Sequence, residues 1–169
     1  LAMGVEGIGC WSGTGKRGLA RLGCELDPLG ALNGISGSQY AWLNSASSIF
    51  QQIKLPPGEY KLKVVVARPS AEVGSGSMLN LFSSAYSSGK NSSPLRQELL
   101  STLVVHKSWA CFESKILVLN GKENHVTFTF SASNTTANVG SSNTARVLIK
   151  QVLIYTRGSG SSGQSNVYV

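Results

Sequence analysis

The stretch "HVTFTFSAS", residues 125–133, decides the fold. Val126, Phe128 and Phe130 alternate with Thr127 and Thr129, a strict two-residue period. Successive side chains of a strand point to opposite faces, so this run is a strand with its rings inward and its hydroxyls outward. The same period recurs upstream. In "SSIFQQIKL" (47–55), Ile49, Gln51, Ile53 and Leu55 share one face; Phe50, Gln52 and Lys54 share the other. In "YKLKVVVAR" (60–68), Tyr60, Leu62, Val64 and Val66 oppose Lys61 and Lys63. "PPGE" (56–59) lies between these two runs as a turn signal, so they are expected to pair as a hairpin. Further strands are expected near Leu19–Leu26 and over residues 77–86, 96–106, 108–119 and 145–156, giving about eight or nine in all. Polar loops over 87–94 and 134–144 separate them; the apolar residues of 96–106 fit a helix as well as a buried strand, and the surrounding β pattern selects the strand.

Composition agrees with this pattern. Charged residues make up 14% of the 169 residues, while Gly, Ser, Thr and Asn are abundant, which suits strands joined by polar turns rather than a helical bundle. The expectation is one all-β antiparallel sandwich. Residues 1–36 form a Gly-rich segment packing on it, 37–157 its core, and 158–169 a Gly/Ser tail. Val167, Tyr168 and Val169 could add a strand to a partner, which would make the chain a homo-oligomer or part of a larger assembly. The start at Leu1 fits a processed chain or a piece of a longer one. No apolar run reaches the ~18–20 residues that span a bilayer.

Net charge is +7, with the basic residues spread along the chain rather than clustered. That spread argues against nucleic acid and leaves other anionic polymers open. Cys10, Cys24 and Cys111 make no metal pattern, although Cys10 and Cys24 could pair in an oxidising compartment. Asn91 and Asn134 each begin an N-glycosylation sequon.

"GCWSGTGKRG" (9–18) has the look of a phosphate cradle and fails as one. A P-loop needs Gly-x-x-x-x-Gly-Lys-Ser/Thr between a strand and a helix. Here Cys10 stands where the first Gly belongs, and Arg17 where the magnesium-binding hydroxyl belongs. A basic Gly-rich surface loop carrying Trp11 remains. Nucleophile elbows and cysteine–histidine signatures are absent, and the eight carboxylates fall into no glycosidase-like pair. The chain is expected to bind rather than catalyse, without cofactor or metal.

Residues 37–70 carry a family pattern: Gly37, Tyr40-Ala41-Trp42, Ile49-Phe50-Gln51, Pro57-Gly58, Tyr60 and Arg68. Trp109, "NHVTFTFSAS" and "VLIKQVLIY" continue it. The pattern resembles the galactose-binding-like jelly roll used by many carbohydrate-binding modules. The resemblance implies a jelly-roll sandwich and a glycan ligand. It departs from the family at Ile149-Lys150-Gln151-Val152, where the family often carries acids that help hold calcium. A lysine in that place argues against a calcium site.

Sugar sites use flat rings flanked by polar side chains, because the C–H face of a pyranose packs on an aromatic face. The candidates are Trp11, Tyr40, Trp42, Tyr86 and Trp109, with Arg68 at a strand end. The function expected is carbohydrate recognition outside the cell or at its surface. The alternative is a structural subunit of a virion, tail or cell surface.

Overall fold

The computed structural model describes residues 11–21, 39–70, 76–87, 93–134 and 145–156. Eleven strands and no helix occur among the described residues. They are β1 (Ser12–Thr14), β2 (Arg17–Arg21), β3 (Gln39–Asn44), β4 (Ser48–Lys54), β5 (Gly58–Ala67), β6 (Ser77–Tyr86), β7 (Arg96–Val104), β8 (Ala110–Glu113), β9 (Leu117–Leu119), β10 (His125–Asn134) and β11 (Arg146–Thr156). The first sheet runs β1-β4-β10-β6-β7; the second runs β2-β3-β11-β5-β8, with β9 also on β5. Every pairing is antiparallel. The chain changes sheet at most of its connections, the mark of a jelly-roll sandwich.

The core lies between the two inner faces. Val126, Phe128, Phe130 and Ala132 of β10, with Leu79 and Leu81 of β6, meet Leu62, Val64 and Val66 of β5 and Ile149, Val152 and Ile154 of β11. All are buried. Each large apolar side chain taken out of water contributes roughly 1.5–3 kcal/mol, so this layer dominates stability.

The strand expected over 108–119 is interrupted. Ser114 is buried between β8 and β9, and its hydroxyl accepts from Leu62 N–H at 3.0 Å. The expected hairpin between residues 49–55 and 60–68 does not form. β4 lies in the first sheet and β5 in the second, so Pro56 and Pro57 carry the chain across the core. Two-residue hairpins favour primed turns, with positive φ at the first central residue, and proline is locked near −65°. The runs therefore face each other through their apolar sides instead of pairing edge to edge. The Tyr60 hydroxyl donates to Pro56 O at 2.7 Å and pins the crossing.

The Gly-rich stretch is built into both sheets. β1 pairs with β4, and two residues later β2 pairs with β3. Gly15 makes that switch at φ +73°, tight against Ser47. Gly18 lies opposite Trp42, and a Cβ there would sit 2.9 Å from the indole Nε1. Close approach, not phosphate binding, accounts for these glycines. Cys10, Cys24, Asn91, residues 22–26 and the tail bearing Val167, Tyr168 and Val169 lie outside the described residues.

Gly18→Ala overpacks the Trp42 contact and should cost about 1–3 kcal/mol, read as a lowered denaturation midpoint with an unchanged m-value.

Candidate functional site

The two sheets present different outer faces. On the first sheet, strand register sorts the outward side chains into rows that run across the strands. Ser12, Phe50, Thr129, Phe82 and Leu99 form one row. Thr14, Ser48, Ser131, Asn80 and Thr102 flank it on one side, and Gln52, Thr127, Ser84 and Gln97 on the other. Lys54, His125 and Tyr86 form the last row.

Neighbouring strands lie ~4.8 Å apart, so Phe50 and Phe82 stand about 10 Å apart across β10. Phe82 is 39% exposed and Leu99 46%. A bulge in β7 turns Leu100 into the core and leaves Leu99 beside Phe82 on the outside. An apolar stripe thus crosses the face between two polar rows. Side chains order that face. Thr102 donates to Asn80 Oδ1 at 2.9 Å, Asn80 Nδ2 donates to Ser133 Oγ at 3.2 Å, and Thr14 and Ser48 share a bond at 2.8 Å. Among the described residues, the strands of this sheet turn no carboxylate outward in these rows. A two-acid glycosidase arrangement therefore has no donors in them.

The outer face of the second sheet is closed at one end. Tyr40, Val65, Ala67, Leu148 and Lys150 are all buried there. Tyr40 and Trp109 meet edge to face with centroids 5.6 Å apart, and Lys150 Nζ stands 6.0 Å from the Trp109 centroid, within cation–π range. Lys150 occupies a bulge in β11, the place where the family resemblance expected an acid. The other end is open and ionic. Lys61 Nζ lies 3.2 Å from Glu113 Oε2. A hydrogen bond from Tyr155, then the one from Lys61, hold the Glu113 carboxyl below the usual carboxylate range. Burial pushes the Tyr155 hydroxyl up, and its bond to Glu113 adds to that.

The six candidate residues are not brought together. Tyr86 lies on the open face of the first sheet. Trp11 is half-buried, its ring 5.5 Å from core Phe130, rather than the exposed ring of a surface loop. Tyr40, Trp42 and Trp109 belong to the second sheet's outer side; Tyr40 is buried there, and Trp42 packs on Gly18. Arg68 follows β5, half-buried, and its backbone N–H donates to His106 O at 2.8 Å. Phe50 and Phe82 were not among the candidates. Their signal is a phenylalanine on the polar parity of its strand. Among the described residues, no three His, Cys, Asp or Glu side chains group as metal ligands. Cys111 is an exposed free thiol.

No protein-family model and no curated protein matches the chain. Solved structures do. A family 61 carbohydrate-binding module in complex with β-1,4-galactotriose superposes with a TM-score of 0.58 at 11% identity, covering 87% of this chain and 88% of that one. A family 22 module of Clostridium thermocellum xylanase 10B gives 0.56 at 12% identity, covering 92% and 90%. The enzymatically active domain of tailspike protein 4 from bacteriophage CBA120 gives 0.59 at 12%, with 88% of this chain on 20% of that one. The chain therefore has a jelly-roll β-sandwich fold similar to that of these carbohydrate-binding modules.

In an NMR pH titration, Glu113 should titrate below the ~4.3 of a free glutamate, and Tyr155→Phe should raise it. A depressed carboxyl stabilises the fold above the ordinary carboxylate range. That contribution is lost as pH falls through the lowered value.

Proposed function

We propose that this chain is a non-catalytic carbohydrate-binding module that holds a glycan on the outer face of its first sheet. The observation that carries the reading is the row Phe50–Thr129–Phe82–Leu99, half-buried at Phe50 and Thr129, exposed at Phe82 and Leu99, and flanked on both sides by rows of hydroxyls and amides. An apolar sugar face packs on the phenyl rings, and ring hydroxyls exchange hydrogen bonds with Gln52, Ser84, Gln97, Thr127 and Asn80. The lack of an outward carboxylate in these rows supports binding without hydrolysis. Tyr86 supplies a third ring at the end of the face. Structures of the same fold described as binding galactotriose and xylan support the choice of ligand class. Work outside the cell or at its surface fits that ligand.

A second reading, an assembly subunit, draws on β7. This edge strand of the first sheet exposes Leu99 and Val104, and an unpaired edge is a template for a further strand. The tail residues Val167, Tyr168 and Val169 would serve such pairing. Sedimentation across a hundredfold concentration range separates the readings, because a binding module stays monomeric.

Calorimetric titration with soluble β-1,4-galactan and xylan tests the first reading. Phe82→Ala should weaken binding about tenfold, equivalent to ~1.4 kcal/mol, with little change in Tm. Failure to bind any neutral or acidic glycan would remove the proposal.

A further inference from the structure

We infer that the row Lys54–His125–Tyr86 selects a glycan with an anionic substituent, a uronate carboxylate or a sulfate ester, on the sugar lying over Tyr86. The inference rests on the glycan-binding reading above and narrows its ligand.

Register places the three side chains together. His125 lies directly opposite Lys54 on one side and directly opposite Tyr86 on the other. Directly opposed residues hold their Cβ atoms about 4.5–5.5 Å apart, so one anion over His125 is within reach of both neighbours. Tyr86 also shares its strand and its face with Phe82, four residues earlier. At ~3.3 Å per residue the two rings stand about 13 Å apart, with Ser84 between them. A glycan running along β6 from the Phe82 stripe therefore ends over Tyr86, beside two basic groups.

Orientation at His125 leaves one ring edge, Nε2, for a ligand. Its Nδ1 lies 2.6 Å from Asn124 Oδ1. An amide oxygen only accepts, so Nδ1 carries a proton and Nε2 remains as the second edge of the ring. In the charged imidazole Nε2 donates, as an anionic oxygen requires.

Charge on the face is one-sided. The outward rows of this sheet contain Lys54 and His125 and no carboxylate among the described residues. Glu123, in the turn just before the row, is buried and committed to Arg96 at 3.3 Å and to Asn120 N–H at 3.2 Å. The second sheet is the internal contrast: there Lys61 is matched by Glu113. Lys54 has no such acid on its own face, and the chain's net charge of +7 draws polyanions toward it.

The test uses matched polymers and the full chain. Glucuronoxylan is compared with its carboxyl-reduced form, and a sulfated galactan with its desulfated form, each by calorimetry at low and high salt. One anionic form or the other should bind about tenfold tighter than its neutral partner, and whichever does identifies the anion. The preference should shrink toward unity in about 1 M salt, where the Debye length falls to ~3 Å. Lys54→Gln and His125→Gln should each reduce the ratio of anionic to neutral affinity, whereas Phe82→Ala weakens both forms and keeps the ratio. Equal affinity for charged and neutral forms overturns this inference and leaves the glycan-binding reading standing. Binding to neither form overturns both. Tighter binding of single-stranded DNA than of any glycan, unaffected by Phe82→Ala, also overturns it.

Discussion

One strand carries both the stability and the surface of this molecule. β10 sits in the middle of the first sheet, paired with β4 on one side and β6 on the other. Its even residues, Val126, Phe128, Phe130 and Ala132, form part of the core; its odd residues, His125, Thr127, Thr129 and Ser131, run down the centre of the outer face. A slip of one residue would exchange the two sets, exposing two phenylalanines and burying hydroxyls. Burial of Phe128 and Phe130 therefore fixes the register, and the register fixes which groups of β4 and β6 stand beside which on the outside. The row that joins Phe50 to Phe82 exists because Thr129 is held opposite both.

The two outer faces differ because their coverings differ. On the outer side of the second sheet Tyr40, Val65, Ala67 and Leu148 are buried, with Trp109 packed against Tyr40. The first sheet leaves Phe82 and Leu99 of its apolar stripe open, and Val104, further along β7, is exposed as well. Contiguous exposed apolar area on a sheet is a candidate docking surface. A sugar polymer matches its texture, since a pyranose offers an apolar face and a polar rim at once.

Much of this was legible in the residues. Alternation alone fixes the faces of β4, β5 and β10, and their residues in the central core follow that parity, although Val65 and Ala67 of β5 are buried on the other face as well. The jelly-roll resemblance agrees with the strand order and with the solved structures of that fold. The partners of a strand were less legible, because they are set by distant segments. "PPGE" reads as a turn from its composition, but its prolines cannot supply the positive φ of a tight hairpin, so the chain crosses instead. The Gly-rich stretch hides two strands because its glycines Gly15 and Gly18 answer to Ser47 and Trp42, 32 and 24 residues away in sequence. Large aromatics drew attention to Trp11, Tyr40, Trp42 and Trp109, yet ring size does not distinguish a packing role from a binding one. Parity does better. Phe50 and Phe82 are apolar residues on the wrong side of their strands, and the structure leaves Phe82 open to solvent.

The proposed ligand meets the first sheet's outer face. Amide chemical-shift mapping during titration with soluble β-1,4-galacto- or xylo-oligosaccharides tests it most directly. The account predicts a continuous set of shifts over Phe50, Gln52, Phe82, Ser84, Tyr86 and Thr129. Shifts confined to Tyr40, Trp42 and Trp109 on the opposite face would contradict it.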